Sequence, residues 1–390
     1  MSGRGRHVRL ATRGSDLARW QATTVKTLLE DRRFEVSLVE VETEGDRVRD
    51  ELIHRLGRKG AFVRSLDERV LEGDLDAAVH SMKDMPTESP DELVVAGVPE
   101  RATPGDILVT PNGGTLSDLP ENGTVGTSSL RRQAQLLDAR PDLTVEPLRG
   151  NVDTRVEKLL APHRQHEHQR RLDAESGGET GDESSDGDDD DNATEAEDAP
   201  SFERTAQEWF EGLSPIERRA LERETEIEYD AIVLAAAGLD RIGLARHVDA
   251  HDLSATEFVP SPGQGALAVT AVDGEPATAI NDAIDHPRTR VETTTERVVL
   301  EELGGGCIAP IGVHAVVQGE YLRVHARVQN TAGTEEVSTN RDLPVEHHPD
   351  AARDLAADLR ERGAAELIAA AREEAVDAAA AGPGESDAVR

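Results

Sequence analysis

Val125-Gly126-Thr127-Ser128-Ser129-Leu130-Arg131-Arg132 sets three local signals side by side. Thr124–Gly126 reads as a short strand, Thr127 to Ser129 as a hydroxyl-rich turn, and Leu130 as the opening of a helix to about Ala139. Free amides and the helix dipole make such a helix start favourable for an anion. Arg131 and Arg132 add guanidinium groups, which hold carboxylates in a two-pronged fork.

The same strand–turn–helix grammar recurs in both directions. Upstream, Val8 to Thr12 is a strand that runs through Arg13-Gly14 to Ser15, a good N-cap, with Leu17, Gln21, Val25 and Leu28 at helical spacing. Val36 to Val41 marks a strand, and 44–60 a polar, mobile loop. A helix from about Ala61 to Glu72 places Phe62, Leu66 and Val70 on one face. Asp76 to His80 is a buried strand that leads into Ser81-Met82-Lys83-Asp84-Met85-Pro86. Downstream, Thr144–Leu148 is a strand, and Arg149-Gly150-Asn151 starts a helix to about Leu160. Tyr229 to Ala235 is a strand that runs into a turn ending at Arg241. This alternation predicts an α/β fold with sites on loops at strand ends. A helix from about Arg288 to Leu303, strands near Val313–Val317 and Tyr321–Val328, and one long Ala-rich helix from about Pro349 to Ala381 complete the chain. No internal repeat is visible.

The 390 residues carry a net charge of -35, and only four lysines, Lys26, Lys59, Lys83 and Lys158, stand among 43 basic residues. Such an acidic, lysine-poor surface suggests solubility at high salt, as in a halophile. It argues against nucleic acid as a partner, which needs a basic face. No apolar run approaches membrane-spanning length, so no membrane association is expected. The single cysteine, Cys307, excludes an internal disulfide and fits a cytoplasmic protein. Residues 173–198 hold thirteen Asp or Glu and no Lys or Arg. They predict a disordered, solvated insertion in a surface loop, spanning about 161–228. The other possibility for this run is a docking tail for a basic partner.

Arg13, Arg131, Arg132, Arg149, Arg155 and Arg241 all fall near strand-to-helix junctions. Alone, each would be read as a surface residue; together they predict a cleft for a ligand with several carboxylates. Phosphate would suit the same groups, but neither a P-loop nor a dinucleotide fingerprint is present. No metal site is expected. Asp84, beside Lys83, reads either as a structural turn residue or as a carboxylate that pairs with a cation and exchanges a proton with a bound amine. Gly304-Gly305-Gly306-Cys307 reads as a helix cap before a buried thiol, or as an attachment point with clearance for a bulky group.

Four of these stretches occur in one order: His80-Ser81-Met82-Lys83-Asp84-Met85-Pro86, Val125 to Arg132, Leu148-Arg149-Gly150-Asn151-Val152-Asp153-Thr154-Arg155, and Gly305-Gly306-Cys307. In this order they resemble the motifs of the hydroxymethylbilane synthase, or porphobilinogen deaminase, family. The resemblance runs from about Val8 to Leu160 and from about Glu228 through the C-terminus. It implies three domains: two periplasmic-binding-protein-like α/β domains around a cleft, and a small α+β C-terminal domain carrying the cofactor cysteine. Their expected limits are 1–101 with 259–284, then 102–258, then 285–390.

The resemblance also implies a transferase of tetrapyrrole biosynthesis. It condenses four porphobilinogen units with loss of ammonia on a dipyrromethane cofactor, then releases 1-hydroxymethylbilane by hydrolysis. By motif, Cys307 would hold the cofactor in a thioether, and Asp84 would be catalytic. Lys83, Thr127, Ser129, Arg131, Arg132 and Gly150 would contact the cofactor. Arg13, Ser15, Gln21, Arg149, Arg155 and Arg241 would hold substrate carboxylates, and Phe62 would cover the cleft. The expected partners are porphobilinogen and the growing oligopyrrole, and the expected state is a monomer. Arg55 and Arg58 depart from residues common in the family, as does Gly304, but none removes a catalytic group. The rival from another class is a non-enzymatic polycarboxylate-binding protein of the same two-lobed shape, which would need neither Cys307 nor Asp84.

Overall fold

The computed structural model describes residues 6–41, 61–178, 202–306 and 309–380. Three sheets organise them. The first contains β1 (His7–Thr12), β2 (Glu35–Glu40), β3 (Ala77–Ser81) and β4 (Leu93–Gly97). The second contains β5 (Asp106–Thr110), β6 (Thr124–Gly126), β7 (Thr144–Glu146), β8 (Ala231–Ala235) and β9 (Asp249–Leu253). The chain then returns to the first sheet as β10 (Leu267–Val272). The third sheet is an antiparallel meander of β11 (Ile311–Gln318), β12 (Tyr321–Gln329) and β13 (Glu336–Pro344).

The first sheet has the order β2-β1-β3-β10-β4 and the second β7-β6-β8-β5-β9. In each, three parallel strands are followed by one antiparallel strand that has just crossed over from the other sheet. The two lobes therefore share a topology although the sequence shows no repeat. Two crossovers, residues 98–105 and 254–266, join them.

Helices α1 (Asp16–Glu30) and α2 (Ala61–Leu71) cover the first sheet, and α3 (Leu130–Ala139) and α4 (Val152–Gly178) the second. α1 shows why the sequence reads as it does. Ser15 accepts from the Ala18 amide at 3.3 Å, and Gln21, Ala22, Val25 and Leu29 form the buried stripe. Each main sheet has apolar layers on both faces, as expected of parallel sheets. The third sheet packs its own core against α9 (Pro287–Glu302) and α10 (His348–Leu359).

Several expectations need correction. The helix expected to stop near Leu160 continues to Gly178. Its second half is covered by α5 (Ala206–Gly212) and α6 (Pro215–Leu221): Arg164 pairs with Glu217 at 2.8 Å, and His168 stacks on Trp209. Ser214 and Glu217 form a capping box at the start of α6, and much of the insertion is ordered; residues 179–201 lie outside the described residues. The turn read at 236–241 is a short helix, α7 (Ala236–Arg241). Strands β9 and β13 and helix α8 (Glu275–Ile284) went unread. β9 is a polar edge strand, Asp-Ala-His-Asp-Leu, without alternation to betray it; pairing to β5 makes it a strand. The long C-terminal helix is broken between α10 and α11 (Ala365–Ala380) by Gly363, at φ 104°. The loop expected at 44–60 lies outside the described residues, as does Cys307.

Candidate active site

The cleft lies between the two main lobes, where their parallel strands end. Arg13, Ser15 and Gln21 reach it from the start of α1, and Lys83 and Asp84 from the 3-10 turn that ends β3. Arg132 comes from α3, Gly150 and Arg155 from the start of α4, and Arg241 from the end of α7. The cavity encloses about 280 Å³, with five cationic side chains on its wall and one carboxylate, Asp84. In a chain of net charge -35, that local inversion of sign is the main electrostatic feature. A second cavity of about 290 Å³, bordered by Thr110, Asp118, His163 and Glu228, has no Arg or Lys on its wall. It could not neutralise a polycarboxylate.

Arg132 is paired with Asp106 behind it, whereas Arg155 and Arg241 are held by backbone carbonyls. Arg155 donates from Nε to the Gly150 carbonyl at 2.8 Å. Burial, with Arg132 and Arg149 nearby, lowers its pKa to about 10. Arg241 donates to the Gly265 carbonyl at 2.6 Å and lies 5.5 Å from the Trp20 ring; burial brings it to about 10 as well. The Nε atoms of Arg149 and Arg241 are buried without a hydrogen-bond partner. Lys83 keeps some exposure to the cleft, yet the surrounding protein lowers its ammonium to about 8; Asp84 opposes this and Arg132 adds to it.

Not every expected residue lines the cleft. Thr127 is buried and accepts from the Ser129 amide, while Ser129 caps α3 at the Arg132 amide. Both shape the turn. Arg131 is fixed beneath it, donating to Asp106 at 2.8 Å and to the Val259 carbonyl at 2.8 Å. Arg149 is half-buried at the end of the β7 turn, outside the lining. Phe62 lies in α2, but its side chain is outside the described residues.

Asp106 is the residue that the sequence reading missed. It accepts from Arg131, from two nitrogens of Arg132 and from Gln264, and its side chain has no exposure. Burial alone would raise its pKa, but the two guanidinium groups outweigh that and hold it well below the usual carboxylate range. The available signal was a charge opening an otherwise apolar strand, Asp-Ile-Leu-Val. A second buried group, His80 on the cleft wall, shares Asp67 and Thr270, with His80 Nε2 at 2.9 Å from Asp67 and 3.1 Å from Thr270.

The family model described as porphobilinogen deaminase, dipyromethane cofactor binding domain, matches residues 8–168 and 215–279. The porphobilinogen deaminase C-terminal domain matches residues 291–362. The chain belongs to the porphobilinogen deaminase family. A probable porphobilinogen deaminase of Halobacterium salinarum is 54% identical, covering 94% of this chain and 99% of its own length. Another, of Methanococcoides burtonii, is 35% identical and covers 92% and 95%. Among solved structures, a periplasmic substrate-binding protein from Coxiella burnetii aligns with 72% of this chain and 93% of its own at 10% identity and a TM-score of 0.34. As a porphobilinogen deaminase, or hydroxymethylbilane synthase, the chain is a transferase of tetrapyrrole biosynthesis, with porphobilinogen as substrate and dipyrromethane as cofactor. Much of the insertion, residues 169–214, falls between the matched segments.

Proposed function

We propose that the cleft between the two main lobes is where porphobilinogen units are joined, with Asp84 as the catalytic carboxylate and Cys307 as the attachment residue. The observation that carries this reading is the sign-inverted wall: five cations around one carboxylate. The residues fit a dipyrromethane. Each pyrrole ring brings two carboxylates, and the wall offers guanidinium groups, among them Arg241, whose buried Nε makes no hydrogen bond. When bound, the dipyrromethane supplies the nucleophilic pyrrole carbon at which the chain is extended.

The side chains divide the remaining work. Arg13, Ser15 and Gln21, at the start of α1, bind carboxylates where the helix dipole already favours them. Arg149, Arg155 and Arg241 bind further acetate and propionate groups from the second lobe. Arg131 and Arg132 act as a pair set by Asp106, so one fixed positive charge remains to face the ligand. Lys83 offers an ammonium that a bound carboxylate would keep protonated. Gly150 leaves its backbone open to the cleft, with Thr127 and Ser129 shaping the opposite turn. Asp84 steadies the proton on the departing amine as the carbon–nitrogen bond breaks and the electron pair leaves with ammonia. Its carboxylate then pairs with the positive charge left on the substrate pyrrole.

We also propose domain limits of 1–101 with 259–284, 102–258 and 285–390. The protein acts as a cytoplasmic monomer at high salt, without nucleic-acid or membrane partners. The acidic surface supports this, and no helix among the described residues is long and apolar enough to cross a membrane.

Intact mass tests the central reading. The purified protein should carry an adduct of two pyrrole units, absent from Cys307→Ser. An unmodified thiol in active protein would overturn the assignment, and an unmodified thiol in inactive protein that still binds porphobilinogen would favour the polycarboxylate-binding alternative.

A further inference from the structure

Arg297 lies on α9, in the third domain, but its guanidinium reaches into the first. It donates to the carbonyls of Met82 at 3.4 Å, Met85 at 3.4 Å and Pro86 at 2.7 Å. These carbonyls bracket the turn that presents Lys83 and Asp84 to the cleft. The turn is a single 3-10 segment, Met82–Asp84, and its one internal closure is the Met85 amide on the Met82 carbonyl at 3.2 Å. So short a segment cannot fix the direction of its own side chains.

Among the described residues, Arg297 has no carboxylate at ion-pairing distance. Burial lowers its pKa, with only Glu301 acting in the other direction. A half-buried cation held by carbonyls alone is a costly way to join two domains. A neutral side chain would suffice for adhesion, whereas three convergent carbonyls give a planar fork a defined orientation.

The neighbouring residue fixes the helix itself. Glu296 is fully buried and takes a bidentate pair from Arg101 at 2.8 and 2.9 Å. It also accepts from the amides of Gly263 at 2.7 Å and Ala315 at 2.9 Å. Arg101 and Gly263 belong to the two crossovers between the lobes. One turn of α9 is therefore pinned to both crossovers through Glu296 and to the catalytic turn through Arg297. The same helix ends at Glu302, and the chain then runs through Gly304-Gly305-Gly306 to Cys307.

We propose that Arg297 is a positioning residue for Lys83 and Asp84, through which the helix leading to Cys307 sets the orientation of the catalytic turn. The inference rests on the reading of Asp84 as the catalytic carboxylate. It assigns the third domain a part in the chemistry beyond carrying the tether.

The test uses cofactor-loaded Arg297→Met and Arg297→Lys, with cofactor content checked by intact mass. In Arg297→Met, kcat should fall roughly ten- to a hundredfold, the range expected when a catalytic group is displaced without loss of binding. KM for porphobilinogen should move less than about threefold, as substrate carboxylates are held elsewhere. The pH profile of kcat should shift. So should the pH dependence of Lys83 labelling by reductive methylation, mapped by peptide mass, because Lys83 will leave its present surroundings of Asp84, Arg132, Asp106 and Arg131. Arg297→Lys should recover part of kcat by restoring one donor.

An unchanged kcat in loaded Arg297→Met overturns the proposal. So does a loss of kcat that only follows a lowered Tm, with pH profile and Lys83 labelling unmoved. If Arg297→Met fails to fold, the profile and labelling of Arg297→Lys decide between the same outcomes. Asp84→Asn is run in parallel. Full activity there overturns the reading beneath the proposal, whereas an inactive Asp84→Asn beside an unaffected Arg297→Met overturns the positioning role alone.

Discussion

Replacing Asp106 by Asn should be among the most damaging conservative changes in the second lobe. The carboxylate accepts four hydrogen bonds, from Arg131 at 2.8 Å, Arg132 at 3.1 and 2.8 Å, and Gln264 at 2.9 Å. Asn keeps the shape but removes the charge, and it turns an amide donor towards guanidinium donors. Two buried cations would then share one neutral amide oxygen, beside the Val259 and Val233 carbonyls, and have no counter-charge. Breaking a buried pair in this way costs about 3–5 kcal/mol. At roughly 2–4 °C per kcal/mol for a domain of this size, Tm should fall by about 6–20 °C. Scanning calorimetry at fixed, high salt would measure it, since salt screens surface pairs far more than this buried one. The pH dependence gives a second check. Asp106 titrates below its unfolded value, so its contribution is complete above the ordinary carboxylate pKa of about 4 and is lost only as pH falls through the folded value. The gap between the two proteins should hold constant from neutral pH to about 5 and close only in stronger acid. A Tm within about 3 °C of the parent at neutral pH would refute the argument, and so would a gap that already closes near pH 6.

Four other outcomes follow from the same geometry. Lys83, lowered to about 8, should lose its charge in the free protein as pH rises through that value, so KM for porphobilinogen should climb above pH 8 and stay flat below it; Lys83→Arg should remove the climb. Gly150 sits at φ 115°, and an added Cβ would meet Thr154 Cγ2 at 2.5 Å; Gly150→Ala should lower stability by about 1–3 kcal/mol in urea unfolding and weaken substrate binding. Arg241→Gln should raise KM several-fold with little change in kcat, in steady-state kinetics, because the group binds carboxylates and does not touch the reacting bond. Deleting residues 179–198, beyond the end of α4, should leave turnover and its salt dependence unchanged; loss of activity at high salt would make the acidic run functional.

The fold was legible in the sequence to the extent that burial follows local periodicity. β1, α1, β3, α3 and β10 announce themselves by apolar spacing, by Ser15 and Ser129 as caps, and by continuous runs such as Ala-Ala-Val-His. β9 and β13 do not, because an edge strand with exposed polar residues owes its conformation to the neighbour it pairs with. The length of α4 was hidden likewise: its polar second half is helical because α5 and α6 cover it, and neither is adjacent in sequence.

The sequence alone determined the chemistry of the site. Arginines at the ends of strands, Lys83-Asp84 after β3 and one cysteine behind glycines are local facts, fixed by residue type and spacing. Tertiary structure decided which of those groups face the ligand and which support the others. Arg131 and Arg132 are neighbours in one motif, yet only Arg132 lines the cleft, while both are held by Asp106 from another strand. Arg297 belongs to a helix of a different domain and grips the turn of Lys83 and Asp84 across more than two hundred residues of chain. Charge and hydrogen bonding act through space, so a partner distant in sequence leaves no local pattern by which to find it.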